Sequence, residues 1–188
     1  MLSGLFHWSP EDKGEFISIE NQFQLSYIGK DTIINIIRTT KAISGLSRSF
    51  YFEIKIDNCG ENSNIYLGLT QADPETRSGC CPGWNTHQTL GIGYHGDDDG
   101  GLYHNSGGPI RRSEPITTGD VVGCFLSRTH INDEDVNLVQ FTKNGKEILS
   151  PRVLENAEWY PTIGMASPGA SITTNFGEES FSYSLKGK

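Results

Sequence analysis

The sequence predicts an all-β protein: a two-sheet antiparallel β-sandwich with little or no helix. Three observations carry that expectation. Short stretches of period-two alternation recur at roughly ten-residue spacing. Turn residues, including 22 glycines and 8 prolines in 188 residues, punctuate them throughout. No segment has the 3.6-residue apolar period of an amphipathic helix, apart from a single turn near Leu154 to Ala157. A chain of this length is one domain by size, able to bury most of its apolar surface without metal or disulfide staples.

The N-terminal residues 1–15 include Leu5, Phe6 and Trp8, too apolar for a discarded tail, and are expected to cover a sheet edge or open end. Phe23 to Tyr27 alternates, Gly29-Lys30-Asp31 reads as a turn, and the β-branched run Thr32 to Ile37 reads as the returning strand of a hairpin. Phe50, Phe52, Ile54 and Ile56 fall on one face of a strand expected at the centre of a sheet. Ile65 to Leu69 is the next strand, and Gly68 within it marks a close backbone or side-chain approach. Ala72 to Trp84 is a surface loop, and Leu90 to Tyr94 is a strand that breaks at Gly96.

Asn105 to Pro115 is expected as loop, Val121 to Leu126 as a strand, and Arg128 to Asp135 as a polar, inserted excursion. Val136 to Phe141 then runs into Lys143-Asn144-Gly145-Lys146, whose Asn-Gly pair suits the positive φ angles of a type I′ hairpin turn, with the partner strand beginning at Ile148-Leu149. Tyr160 to Met165 and Ser171 to Phe176 are the last long strands, Trp159 enters the core, and Phe181 and Tyr183 close an edge.

A formal charge of -8 and a pI near 5.1 set the protein against nucleic acid and anionic membranes, which it would repel. No apolar run approaches the roughly 18 to 20 residues of a membrane span, and the N-terminus has no secretory pattern, so a cytoplasmic location is expected, with the nucleus also allowed. Cys59, Cys80, Cys81 and Cys124 are expected as reduced thiols.

The densest chemistry lies in Gly91 to Gly101, where His95 precedes Asp97, Asp98 and Asp99. Consecutive carboxylates point in different directions and lack the alternating ligand positions of a calcium loop. A structural turn is therefore preferred: Asp97 or Asp98 caps glycine amides and His95 packs, neutral, beside Tyr94. No metal or other cofactor is expected. Cys80, Cys81 and His87 lack the Cys-X-X-Cys pair of a zinc site, and no nucleophile motif positions a cysteine with His95 or His104. Trp84, after Pro82-Gly83, is either an interface anchor or a plug in the end of the sandwich.

A set of words in chain order resembles the SPRY domain: Tyr51-Phe-Glu-Ile-Lys-Ile56, Tyr66-Leu-Gly-Leu69, Pro82-Gly-Trp84, Gly93-Tyr-His-Gly-Asp-Asp98, Thr118-Gly-Asp-Val-Val-Gly-Cys124, Phe141-Thr-Lys-Asn-Gly145, Tyr160-Pro-Thr-Ile-Gly164 and Asn175-Phe-Gly177. They span about residues 50–177 of one domain, preceded by an extension over 1–22. Pro-Gly-Trp, Gly-Tyr-His-Gly-Asp-Asp and Phe-Thr-Lys-Asn-Gly are similar to the branch typified by Ran-binding protein M. The resemblance implies a non-enzymatic interaction module, an adaptor or scaffold that holds a peptide or protein segment on loops at one end of the sandwich. Carried onto this chain, those loops are Arg38 to Ser44, Arg77 to Trp84 and Ala166 to Ala170, with Arg38, Thr40, Lys41, Arg77, Pro82, Trp84, Ser167 and Pro168 as contact residues. The basic residues among them suit an acidic or amide-rich peptide. Ubiquitin-ligase components or substrates are the partner class the branch suggests. The alternatives are a calcium-assisted, lectin-like carbohydrate binder and a hydrolase using His95 and the aspartates.

Overall fold

In a computed structural model, which describes residues 6–43, 49–73, 77–84, 90–97, 100–131 and 133–185, the chain forms two antiparallel sheets. The first has seven strands in the spatial order β1 (Trp8–Lys13), β4 (Asn35–Thr39), β14 (Tyr160–Met165), β6 (Ile65–Thr70), β7 (Gly91–His95), β8 (Gly101–His104) and β9 (Arg111–Arg112). The second runs β12 (Lys146–Glu147), β11 (Glu134–Lys143), β10 (Val121–Ile131), β5 (Ser49–Asn58), β15 (Ser171–Asn175), β3 (Gln24–Tyr27) and β2 (Ile17–Ile19), with β13 (Arg152–Leu154) also pairing with β11. No helix occurs among the described residues.

The alternation read from the sequence places the core. Phe50, Phe52, Ile54 and Ile56 of the central strand β5 face Leu67, Leu69, Ile92, Tyr94 and Ile163 of the first sheet, and Trp159 is buried among them. Phe6 and Trp8 join this core at the β1 edge; Leu5 lies outside the described residues. The Asn144-Gly145 turn has φ of 50° and 76°, the left-handed pair of a type I′ hairpin between Lys143 and Lys146.

Several expectations are corrected. Phe23 to Tyr27 and Thr32 to Ile37 do not form a hairpin: β3 pairs with β2 and β15, whereas β4 pairs with β1 and β14 in the other sheet. The intervening residues cross between sheets, held where the Tyr27 hydroxyl donates to the Asp31 and Ile33 carbonyls at 3.1 and 2.7 Å. Arg128 to Asp135 is no irregular excursion but the outer part of the β10–β11 hairpin, in register to Ile131 opposite Glu134. The strand after Gly145 is Lys146–Glu147, not Ile148-Leu149, and the 105–115 segment contains the short β9. Leu154 lies in a strand, not a helical turn.

Phe181 and Tyr183 do not close an edge. They lie on the outer face of the second sheet, where their rings sit 4.8 and 5.5 Å from that of Tyr51. Glu53, also outward and only 4% exposed, anchors this cover: its carboxylate accepts the Ser182 amide at 3.0 and 3.1 Å and the Tyr51 hydroxyl at 3.0 Å. A buried carboxylate is tolerable where charge-assisted hydrogen bonds replace its water.

Candidate functional site

The outer face of the first sheet is built by the residues that alternate with the core: Tyr66, Gly68 and Thr70 on β6, Gly91, Gly93 and His95 on β7, Tyr103 on β8, and Thr162 and Gly164 on β14. Its glycines make a trench. A side chain at Gly93 would strike the Pro82 carbonyl, and one at Gly68 would come within 2.8 Å of the Pro82 ring, so the 77–84 segment can lie directly on the sheet. It enters by bridging Ser78 to Asn35, crosses at Cys81 and Pro82, and leaves by bridging Trp84 to Ser106.

Beneath its start lies a polar cluster. Arg38 is 0% exposed. Its Nη1 donates to Asp12 at 3.0 Å and to the Asp73 carbonyl at 3.2 Å, and its Nε donates to the Thr70 hydroxyl at 2.8 Å. Thr162 donates to the Tyr160 carbonyl, so the 2.8 Å contact between the two threonines is donated by Thr70. Arg77 also donates from Nε to Asp12, at 3.3 Å, with its side chain 41% exposed.

Where the segment finishes, the trench opens into a recess of about 270 Å³, lined by Tyr66, His95 and Tyr103 from the strands, Cys81 and Trp84 from the segment, and Thr32, Ile34, Asn64 and Asp97 from neighbouring loops. His95 forms its floor. The imidazole stacks on Tyr103 at 3.8 Å with 15° between planes and meets the Tyr66 ring edge-on at 4.7 Å. Its Nε2 lies 2.8 Å from the Pro82 carbonyl and its Nδ1 3.9 Å from Cys81 Sγ. A carbonyl only accepts, so Nε2 carries the hydrogen and Nδ1 presents a lone pair to the thiol. Burial drives the His95 pKa down to about 4, against the smaller opposing effect of the Pro82 carbonyl. Burial likewise pushes the Cys81 thiol up, then the nearby Cys80 and Asp97 add to it. The pair is a neutral imidazole beside a neutral thiol, not the ion pair of an activated nucleophile.

The predicted contact residues separate into three groups. Arg38, Pro82 and Ser167 are buried; Ser167 Oγ donates to the Cys59 carbonyl and accepts the Asn62 amide, both at 2.9 Å, which makes it a loop clamp. Thr40 and Lys41 are exposed but follow Thr39, which lies at the Tyr160 end of β14, whereas Pro168 follows its Met165 end. About 16 Å of strand separates these ends, so the three loops do not gather at one. Half-buried Trp84 and Pro168 remain on the recess side, and Arg77 is partly exposed and paired with Asp12.

His95 is a strand residue against Tyr103 and Tyr66, not a turn residue beside Tyr94, which faces the core. In the turn after it, the Asp97 carbonyl accepts the Gly100 amide at 3.0 Å; Asp98 lies outside the described residues. Among the described residues no group of three His, Cys, Asp or Glu side chains could hold a metal ion. Sequence reasoning weighed Cys81 only as a zinc ligand and did not make Tyr66 or Tyr103 a contact residue, yet the alternation that sends Leu67 and Leu102 inward sends both tyrosines outward.

This architecture defines a class. The SPRY domain family matches residues 49–179, and the chain belongs to it. Among curated proteins it is 33% identical over 181 residues to a Ran-binding proteins 9/10 homolog of Drosophila melanogaster, covering 94% of this chain and 18% of that protein. It is 31% identical over 185 residues to Ran-binding protein 9 of Homo sapiens, covering 95% of this chain and 24% of that one. A Ran-binding protein M homolog of Arabidopsis thaliana is 27% identical over 154 residues. The chain thus spans under a third of the length of these relatives. Among solved structures, a human SPRY domain superposes with a TM-score of 0.67 at 23% identity, covering 88% of this chain and 98% of that one. The SPRY domain of human HERC1 gives 0.66 at 18% identity, with 92% and 99% covered.

Proposed function

We propose that this domain is a protein-interaction module that seats a short segment of a partner protein in the recess beside Trp84. The observation that carries the reading is the recess itself: a concave, aromatic-lined opening held by His95 and by a loop segment locked into the glycine trench. A site so fixed loses little conformational entropy when it is filled. Half-buried Trp84 supplies the type of aromatic anchor that dominates interface energetics. Family membership supports the module; the partner class suggested by the Ran-binding protein relatives is ubiquitin-ligase components or substrates, met in the cytoplasm.

The test is selection of a displayed peptide library on the folded domain, followed by titration of selected peptides into the wild type and Trp84→Ala. Trp84→Ala should weaken binding at least tenfold while its amide spectrum stays native-like. Peptides that bind the variant unchanged, or that shift only residues remote from Tyr66 and Tyr103, would remove the recess as the binding site.

A further inference from the structure

The Asn144-Gly145 turn carries a chemistry of its own. It is the one Asn-Gly pair in the 188 residues. Glycine has no side chain to shield its amide nitrogen, which can therefore attack the asparagine amide that precedes it. In that step a bond forms between Gly145 N and Asn144 Cγ, the Cγ–Nδ2 bond breaks, and Nδ2 leaves as ammonia with the Gly145 amide proton. Water then opens the cyclic imide at either carbonyl, leaving aspartate or isoaspartate at position 144. Water is the only co-reactant, and Asn144 is exposed to it.

The fold opposes the first step twice. Both residues have positive φ, and the ψ of about 30° that a type I′ turn imposes on its first central residue holds the next nitrogen far from Cβ, whereas ring closure needs the two nearly eclipsed. The side-chain amide is also held at both ends: Nδ2 donates to Asp120 Oδ1 at 2.8 Å, and Oδ1 accepts the Val121 amide at 2.9 Å. A carboxylate only accepts and a backbone N–H only donates, so the orientation of the Asn144 amide is fixed. The nucleophile is loose by contrast, since among the described residues no hydrogen bond holds the Gly145 amide. The restraint thus acts on Asn144, and Asp120 is its fixed end: Asp120 Oδ2 accepts the Thr117 amide at 2.8 Å and lies 3.2 Å from Lys143 Nζ.

We propose that Asn144 is a deamidation site guarded by Asp120, silent while the two are bonded and reactive when the turn opens. Conversion unfastens its own guard. Aspartate at 144 loses the Nδ2 donor and sets a second carboxylate against Asp120, and isoaspartate also lengthens the backbone of a two-residue turn. The effect reaches the C-terminal segment, because a Cβ on Gly145 would stand 2.6 Å from the Ser182 carbonyl, and Ser182 is the residue tethered to Glu53. Loss of ammonia makes the change one-way.

The test incubates the full 188-residue chain at pH 8 and 37 °C beside the capped peptide Thr-Lys-Asn-Gly-Lys-Glu and follows the one-dalton gain at Asn144 by peptide mapping. Two net hydrogen bonds shift a local opening equilibrium about tenfold or more, so the folded chain should convert at least about tenfold more slowly than the peptide. A folded chain that converts as fast as the peptide would overturn the proposal outright. Asp120→Ala should raise the rate at least about threefold with native amide exchange at Phe52 and Phe141. Should alanine unfold the chain, Thr117→Val removes only the hydroxyl bond to Asp120 at 3.1 Å and should still raise the rate about twofold. No rise in either variant would overturn the part given to Asp120. Asn144→Asp, the aspartyl product made directly, should move the Val121 and Ser182 amide resonances while the core spectrum stays native; unmoved resonances would overturn the unfastening.

Discussion

His95 should make this fold sensitive to acid by an amount that can be isolated. The imidazole is 3% exposed, neutral, and held between Tyr103, Tyr66 and the Pro82 carbonyl, and its pKa is about 4 against an ordinary 6.5. The folded state therefore refuses a proton that the unfolded chain accepts. Its contribution is fully present above pH 6.5, is lost progressively as the pH falls through the window from 6.5 to 4, and changes little below that. Two and a half pH units at 1.36 kcal/mol each amount to about 3 kcal/mol, a sizeable part of a typical domain's stability. The comparison is wild type against His95→Gln, which keeps an N–H donor for Pro82 but cannot titrate near neutrality. The variant loses ring stacking and should start less stable at pH 7. Urea unfolding at pH 7, 5.5 and 4, followed by tryptophan fluorescence, should show the gap between the proteins closing by about 3 kcal/mol, with the urea dependence unchanged. Every other ionisable group is common to both chains and cancels in the difference. Parallel stability curves from pH 7 to 4 would refute the burial and neutrality assigned to His95.

Two further substitutions probe the trench and its polar end. Arg38→Met removes a fully buried guanidinium with its bonds to Asp12, Thr70 and the Asp73 carbonyl, while Asp12 keeps Arg77 and Thr70 keeps Thr162; it should destabilise the domain by about 2 kcal/mol in urea unfolding. A loss below 1 kcal/mol would mean that the side chain is an exposed loop residue after all. Gly93→Ala places a methyl group against the Pro82 carbonyl and should lift the 77–84 segment, costing about 2 kcal/mol and shifting the Trp84 indole resonance. An unchanged indole signal would show that the segment does not rest on β7.

Much of the fold was legible because buried strands announce themselves by alternation, as in Phe50 to Ile56, and by turn chemistry, as in Asn144-Gly145. What failed was long-range pairing. Phe23 to Ile37 looks locally like a hairpin, but its two strands join different sheets, since the partners β14 and β15 are supplied by residues 160–175. Arg128 to Asp135 looked irregular because its exposed strand arms have no core face to impose apolar alternation. The site was half legible. Trp84 and the Gly-Tyr-His-Gly-Asp word were visible as unusual chemistry, yet Arg38 was misread as a surface contact: its burial depends on a loop some 40 residues later folding over it, and no local pattern reports that. Tyr66 was in reach, being the outward-facing aromatic of a strand whose neighbours point inward.

The glycine trench separates two properties that most binding loops entangle. The middle of the 77–84 segment is indexed to the sheet by the Pro82 carbonyl over Gly93 and the Pro82 ring over Gly68, neither of which involves the side chain at position 84. Position 84 and the turn at Asp97 can therefore be rewritten while the register of the inlaid backbone is kept. Substitutions at these two positions should therefore leave the path of the 77–84 backbone over Gly93 unchanged.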